Sequence, residues 1–291
     1  MDVLAAHRRL LDRLLPADEP GDLVVHEGQF HRVVVGAERV VCLPRSDAAA
    51  ARLPERAAVL RTLAGLDLGF RTPVPLLAGE PGPDGPGFLV LSRVPGAPLD
   101  AGAVVGPGVA QAVADAVAEQ YAALLTGLAE AGDDAAVRAA VPVAEEDRWR
   151  RFAARVRAEL YGLMSEAGRR RAERELDALD GLPHRADAVV HGDLGAENVL
   201  WTRADDGLPR LGGVVDWDEV VIGDPAEDLA AIGASYGSEF AGRVRAYGGW
   251  TGPEWDARID AIRGTFALQQ ALAAHQDGDG EELADGLAGY R

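Results

Sequence analysis

Residues 189–201 read V-V-H-G-D-L-G-A-E-N-V-L-W and place a short polar loop between two apolar runs. Apolar runs of this length, bounded by polar residues, are typical of the ends of buried strands. A loop held between two buried strands turns its polar side chains toward one small volume. Here those side chains are His191, Asp193 and Asn198. The stretch therefore predicts a polar site built on a loop between strands.

A second polar motif follows a predicted hairpin. Residues 204–207 read A-D-D-G, a sequence that suits a tight turn between antiparallel strands. Residues 211–215 are therefore predicted to pair with residues 199–202. This pairing places Asp216, in the run V-V-D-W-D, beside Asn198. Carboxylate and amide oxygens arranged in this way suit Mg²⁺ carrying a phosphate.

The order H-x-D-x-x-x-x-N followed by a strand-borne Asp matches the template of the protein kinases. In that template the first Asp accepts the proton of the substrate hydroxyl, and the Asn and second Asp hold metal on the nucleotide. Asp193 is thus the predicted catalytic base, and Asn198 and Asp216 are the predicted Mg²⁺ ligands. The alternative is a surface loop that carries these residues by chance. The run G-D-P-A-E-D-L at 223–229 disfavours it, although its aspartates are interpreted as mainly structural.

H-G-D together with D-W resembles the aminoglycoside phosphotransferase family, whose members phosphorylate small molecules. The resemblance extends over essentially the whole chain and implies an α+β, protein-kinase-like fold with two lobes. The implied N-lobe, small and β-rich, is residues 1–92, the hinge is 93–98, and the mostly helical C-lobe is 99–291. The implied reaction is direct transfer of the γ-phosphate of ATP or GTP, with Mg²⁺, to a hydroxyl group.

Composition restricts the partners. The 291 residues carry a net charge of −18, which argues against nucleic acid and favours cationic partners. A single cysteine, Cys42, excludes an internal disulfide and fits a reducing compartment. Residues 1–15 form an amphipathic helical pattern without an apolar signal core, and no apolar run reaches membrane-spanning length. A cytoplasmic protein without membrane contact is expected.

The N-lobe pattern predicts a nucleotide site. Strands at 23–25, 32–35 and 39–43 surround a loop that contains Gly28, which resembles the nucleotide-covering loop of a kinase. Ser46 is a predicted helix cap, and Pro54 is predicted to lie in the first turn of a helix that ends near Leu63. After the buried strand 88–91, backbone groups of Ser92 and Val94 are predicted to bind adenine. An ordinary hairpin and a plain connecting loop are the alternatives for these two features.

The sequence contains no lysine, so all 29 cationic residues are arginine. Kinases normally hold the inner phosphates with a strand lysine. Cys42 takes that position here, and Arg56 takes the position of the helix glutamate that normally faces it. Arg56 is therefore predicted to bind the phosphates, with His31 as a second contact and Arg45 as the fallback. A solvated Arg56 is the alternative.

Helical periodicity predicts most of the C-lobe. The predicted helical regions are 109–131, 145–179 with a break near Gly162, 225–236 opened by Asp224, and 253–275.

Several stretches resemble one subgroup of the family, whose members phosphorylate a serine-type hydroxyl of cationic cyclic-peptide antibiotics of the viomycin and capreomycin type. They include V-V-H-E-G-Q-F-H, G-L-D-L-G-F-R-T-P and the terminal E-E-L-A-D-G-L-A-G-Y-R. Glu197, Asp218 and Glu219 are predicted to bind the cationic substrate, with the acidic tail 277–285 as a further candidate. Two alternatives remain: a kinase of another cationic alcohol, such as an aminoglycoside or choline-like compound, and a catalytically dead nucleotide-binding protein.

Overall fold

The computed structural model describes residues 3–28, 30–82 and 85–291. The predicted helix that starts at Met1 therefore begins outside the described residues. Gln29, in the predicted nucleotide-covering loop, and residues 83–84 also lie outside them. The rest of that predicted helix is divided at His7 into two short helices, α1 (Val3–Ala6) and α2 (Arg8–Leu14).

An antiparallel sheet follows. Its strands are β1 (Val24–Glu27), β2 (His31–Val35), β3 (Arg39–Pro44), β4 (Pro75–Gly79) and β5 (Phe88–Ser92). They lie in the order β1-β2-β3-β5-β4. Side chains alternate between the two faces of a strand, so Val41 and Leu43 pack toward α2, whereas Cys42 lies in the other hydrophobic cluster, together with Leu60. The β-sheet predicted for the N-lobe is confirmed.

Helix α3 (Asp47–Ala64) connects β3 to β4 and lies against the Cys42 face of the sheet. The Ser46 hydroxyl accepts a hydrogen bond from the Ala49 N–H at 3.2 Å, as the predicted cap requires. The prediction that Pro54 opens this helix is wrong, because Pro54 lies inside it. Burial of Leu53, Ala57 and Leu60 on either side of the proline holds the helix together despite the missing N–H donor.

Helices dominate the chain after the sheet. They are α4 (Ala101–Val105), α5 (Gln111–Ala131), α6 (Ala135–Ala140), α7 (Arg148–Glu159), α8 (Glu166–Asp180), α9 (Ala226–Tyr236), α10 (Ser238–Gly248), α11 (Pro253–Gly264), α12 (Phe266–Asp277) and α13 (Gly280–Gly286). The break near Gly162 is confirmed by a 3₁₀ turn at Tyr161–Leu163. The single helix predicted for 253–275 is two helices, since the chain bends at Thr265, whose hydroxyl donates to the Ile262 carbonyl at 2.8 Å. Within the described ranges, no helix has the length and apolarity needed to cross a membrane.

Two short strand pairs lie at the centre of the helical part. Strands β6 (Ala188–Val190) and β9 (Val221–Gly223) pair with each other, and β7 (Val199–Arg203) pairs with β8 (Pro209–Val214). Val199 lies opposite Val214 in the second pair, so the predicted hairpin is confirmed. Its turn uses Gly207 at φ 80°, a conformation that glycine adopts without strain.

The connection between the sheet and the helices passes close to β7. Ala97 and Trp201 exchange backbone hydrogen bonds of 2.9 and 3.0 Å, and Gly96 has φ 122°. A Cβ atom at Gly96 would lie 2.7 Å from the Trp201 carbonyl oxygen, so the close approach requires glycine. The lobe boundaries 1–92, 93–98 and 99–291 stay a prediction.

We expect Gly168→Ala to lower the free energy of unfolding. A Cβ atom there would lie 1.8 Å from the carbonyl oxygen of Tyr290, so α8 and the C-terminal turn Ala288–Tyr290 must separate. Overpacking of this kind costs about 1–3 kcal/mol. Gly242→Ala in α10 is the matched control, because no atom lies within 4 Å of its added Cβ and alanine favours a helix by about 0.5–1 kcal/mol. Urea unfolding of both variants measures the difference; equal stability of the two would contradict the packing.

Candidate active site

The polar loop that follows β6 is held by a carboxylate from a distant helix. Asp228, in the first turn of α9, accepts hydrogen bonds from the backbone N–H groups of His191 at 2.9 Å and Gly192 at 3.1 Å. Asp228 is 1% exposed. Its burial raises its pKa to about 7, although the two N–H donors act in the opposite direction. The loop conformation therefore depends on α9.

His191 is fully buried, and its hydrogen bonds define its tautomer. Its Nε2 lies 2.9 Å from the Val215 carbonyl oxygen, which can only accept, so Nε2 carries the proton. Nδ1 is then free to accept the N–H of Asp193 at 3.3 Å. Burial lowers the pKa of His191, which favours this neutral form. The ring thus joins the loop to the segment that leads to Asp216.

The predicted base and the predicted metal amide are in contact. The Asn198 Nδ2 donates to the backbone oxygen of Asp193 at 2.8 Å and to its Oδ2 at 3.0 Å. Asn198 is buried, whereas Asp193 is exposed. The amide nitrogen thus orients the Asp193 carboxylate, and the opposite, carbonyl side of the Asn198 amide is directed away from it.

Asp216 follows the hairpin in a conformation that is uncommon for a residue with a side chain. Its φ is 61°, and the preceding N–H, of Val215, donates to the Asn198 carbonyl oxygen at 2.9 Å. Single residues in this region store strain that clusters at functional sites. Desolvation in the cleft and then the charge of Asp218 raise the pKa of Asp216, and Arg56 opposes both.

The donor set at this position fits a hard divalent cation. The Asp216 carboxylate is 56% exposed, and it lies on the segment bonded to Asn198. Both residues offer oxygen atoms, which Mg²⁺ prefers. A cation here would also relieve the crowding of negative charge around Asp216. No cluster of three or more His, Cys, Asp or Glu side chains with metal-binding geometry is found among the described residues, so such an ion depends on the amide and on a second ligand such as a phosphate.

The side chain of Arg56 extends from α3 toward Asp216 and Asp218; its binding of the nucleotide phosphates stays a prediction. Its Nε lies 2.6 Å from Asp218 Oδ1, and its Nη2 lies 4.0 Å from Asp216 Oδ1. His31 Nδ1 lies 3.3 Å from Asp218 Oδ2 and 3.2 Å from Arg56 Nη1. Burial raises the pKa of the Cys42 thiol, and the positive charge of Arg56 opposes that shift. Arg56 and His31 are thus both bound to Asp218.

The other predicted nucleotide contacts lie apart from this cluster. Arg45 donates to the Gly28 carbonyl at 2.7 Å and so braces the loop between β1 and β2. The Ser92 N–H donates to the Val74 carbonyl at 2.8 Å, so this N–H is not free for a base. Val94 is 5% exposed, beside Gly213.

The three predicted substrate contacts have different surroundings. Glu219 is exposed, and its backbone lies close to Gly192 of the polar loop. Glu197 is also exposed and lies beside Gly195. Burial raises the pKa values of Tyr121 and Tyr236, and the charge of Glu197 adds to both shifts. Asp218 is 15% exposed because Arg56 and His31 cover it.

A cavity of about 940 Å³ lies between the N-lobe and the last helices. Its walls include the loop after β1, helix α3, the pair Trp217–Asp218, and residues of α12 and α13. Six carboxylates line it: Glu27, Glu55, Asp218, Asp277, Asp279 and Glu282. Three arginines also line it, of which Arg56 is paired with Asp218, so the remaining wall is acidic.

The two-lobed arrangement, with a polar H-x-D-x-x-x-x-N loop opposite a β-sheet, is that of the kinase-like phosphotransferases. The chain belongs to the phosphotransferase enzyme family, whose model matches residues 25–261. It is 64% identical to the viomycin phosphotransferase of Streptomyces vinaceus over 292 residues, with all of both chains covered.

Solved structures share the fold. The GDP and kanamycin complex of APH(2″)-IIIa superimposes with a TM-score of 0.84 at 18% identity, over 98% of this chain and 96% of that one. The ADP-bound aminoglycoside phosphotransferase APH(2″)-Ib gives a TM-score of 0.73 at 18% identity, over 99% and 95%. The α+β, protein-kinase-like fold predicted from the sequence is thus confirmed.

The sequence interpretation missed the role of Asp228. The run G-D-P-A-E-D-L was noticed, but its aspartates were assigned to helix structure alone. Asp224 fits that assignment, since its Oδ1 accepts the Ala226 N–H at 3.0 Å and its Oδ2 pairs with the buried Arg258 at 3.0 Å. Asp228 does not, because its carboxylate accepts a hydrogen bond from the backbone N–H of His191, 37 positions earlier in the chain. The available signal is an aspartate in the first turn of a helix whose N-terminus is already bonded by Asp224.

We expect Asp228→Asn to lower kcat by about tenfold or more, because the amide N–H₂ opposes one of the two loop N–H groups and leaves it unsatisfied. In the wild-type enzyme, kcat should also fall as the pH is lowered through about 7, where Asp228 gains a proton and loses one acceptor. A pH–rate profile measures both. An inflection near pH 7 that persists unchanged in Asp228→Asn would assign it to another group.

Proposed function

We propose that the protein inactivates a cationic cyclic-peptide antibiotic of the viomycin and capreomycin type by transferring the γ-phosphate of ATP or GTP to a serine-type hydroxyl. The observation that carries this proposal is full-length identity of 64% to a viomycin phosphotransferase, combined with the intact Asp193–Asn198–Asp216 arrangement. Consumption of a nucleoside triphosphate also suits the proposed cytoplasmic location.

Asp193 is the proposed catalytic base. It is exposed, and Asn198 and the loop hydrogen bonds fix its orientation. In this role Asp193 orients the acceptor hydroxyl and takes its proton during in-line attack. The neutral His191 shapes the loop and takes no part in proton transfer.

Asn198 and Asp216 are the proposed Mg²⁺ ligands. The ion would neutralise charge on the phosphates of the bound nucleotide. Arg56 is the proposed N-lobe cation for those phosphates, since its Nη2 faces Asp216. His31 supports Arg56, while Arg45 acts on the covering loop. For adenine, Val94 and the carbonyl of Ser92 are the proposed contacts.

The acidic cavity is the proposed binding site of the antibiotic. It adjoins the site at Trp217–Asp218, and its far wall carries Asp277, Asp279 and Glu282. A cationic peptide gains attraction from such a wall. Glu219, exposed beside the polar loop, is a proposed contact closer to the reacting hydroxyl. Glu197, beside Gly195, is a proposed contact on the other side of the loop.

The strongest alternative is an aminoglycoside as acceptor, because structures with this fold include complexes with kanamycin and streptomycin. A choline-like acceptor would need the same base and metal ligands. Product identity separates these substrates.

We expect mass spectrometry to detect a gain of one phosphate on viomycin or capreomycin after incubation with the enzyme, Mg²⁺ and ATP or GTP. Kanamycin and choline should stay unmodified in parallel reactions. Asp193→Asn should lower turnover by about 10² to 10⁴, with unchanged nucleotide affinity. Phosphorylation of kanamycin or choline instead would assign that compound as the acceptor. Turnover of Asp193→Asn within a few-fold of wild type would exclude Asp193 as the base.

We expect Glu282→Gln to raise the KM for viomycin by up to about fivefold, because one screened charge contact is commonly worth about 0.2–1 kcal/mol, or about 1.4- to fivefold. The effect should shrink as salt rises. Glu281→Gln is the matched control: it is the adjacent residue, loses the same charge, and does not line the cavity. Equal KM values for the two variants would exclude this wall as the antibiotic site.

A further inference from the structure

The guanidinium of Arg56 lies between two carboxylates that flank Trp217. It approaches Asp218 to 2.6 Å and Asp216 to 4.0 Å. The side chains of Arg56 and Asp218 are only 12% and 15% exposed, whereas that of Asp216 is 56% exposed. The tight, covered ion pair is therefore Arg56–Asp218, and Asp216 stays open to the cleft.

Asp218 is held by both N-lobe elements that face it. Its second carboxylate oxygen lies 3.3 Å from His31 Nδ1 at the start of β2, and its backbone oxygen lies 3.5 Å from Arg52 Nη2 on α3. His31 itself is 6% exposed and contacts Arg56. One carboxylate from the helical lobe thus joins the sheet and α3 at a single point.

This pair reverses the arrangement of the kinase template. There a strand lysine holds the phosphates and a glutamate on the facing helix holds the lysine. The present chain has no lysine, and its strand position is the small, buried Cys42 beside Arg56. The cation is supplied by the helix instead, and its carboxylate partner by the segment two residues after Asp216.

We infer that Asp218 is a positioning residue for phosphoryl transfer: it anchors Arg56 so that the free side of the guanidinium faces Asp216 and the nucleotide phosphates. A planar, delocalised guanidinium can lie against two carboxylates at once, which makes this bridging geometry possible. The same contact docks α3 on the helical lobe. Asp218 then does not bind the antibiotic directly, in contrast to the prediction from the sequence. The inference rests on the proposed phosphotransferase function.

The test is a double-mutant cycle of Arg56→Gln and Asp218→Asn, with kcat and both KM values measured for each protein and Mg²⁺–nucleotide affinity measured by calorimetry. Each single variant should lose about tenfold in kcat or nucleotide affinity, with the viomycin KM within about twofold of wild type. The double variant should be no worse than the poorer single variant, because the two residues act as a unit. Arg61→Gln is the charge-matched control in the last turn of α3, where it is exposed.

Additive losses in the double variant would overturn the inference. So would an Asp218→Asn variant with a raised viomycin KM and unchanged kcat, since that result makes Asp218 a substrate contact.

Arg56→Lys keeps the charge and the fold but provides one compact cation, so it should lose at least about fivefold in kcat or nucleotide affinity. Wild-type behaviour of Arg56→Lys would exclude the bridging role. If wild-type enzyme modifies no antibiotic, the proposed substrate fails, while the calorimetric nucleotide affinities still decide the inference.

Discussion

The backbone N–H groups of His191 and Gly192 both donate to one buried carboxylate, that of Asp228, and the geometry of the candidate site depends on this contact. Asp228 is fixed by its helix, and the start of that helix is fixed in turn by the buried ion pair of Asp224 with Arg258. Both side chains of this pair are 5% exposed or less. Loss of one partner from such a pair typically costs about 3–5 kcal/mol. The position of Asp193 is thus determined by α9 and α11 as well as by β6, which precedes its loop.

The loop also constrains Asp216, the proposed metal ligand. His191 receives its place from Asp228 and donates its Nε2 proton to the carbonyl of Val215, the residue before Asp216. Asn198 bonds to the same segment through its backbone and to Asp193 through its side chain. Asp193, the proposed base, and Asp216, the proposed metal ligand, therefore belong to one hydrogen-bonded unit. This connection explains how the positive φ of Asp216 is maintained against its intrinsic cost.

Local patterns made much of this predictable from the sequence. The hairpin, the polar loop and the capped helix α3 each depend on residues within about a dozen positions, where turn chemistry and periodicity are informative. The internal Pro54 was misplaced because burial of Leu53, Ala57 and Leu60 outweighs the local cost of proline. The role of Asp228 and the pairing of Asp218 with Arg56 depend on contacts across 37 and 162 positions. No spacing rule encodes such contacts.

The absence of lysine changes which element must supply charge to the cleft. A lysine at the strand position would be a flexible point charge that needs a separate carboxylate to direct it. With Cys42 there, the strand leaves room for a longer side chain from α3, and Arg56 fills it. The guanidinium remains charged at any physiological pH and can face Asp218 and Asp216 together. Because the cation is now part of the helix, its correct position requires the helix to be docked, which Asp218 and His31 accomplish from opposite lobes. Docking of α3 and placement of the Arg56 guanidinium therefore depend on the same contacts with Asp218.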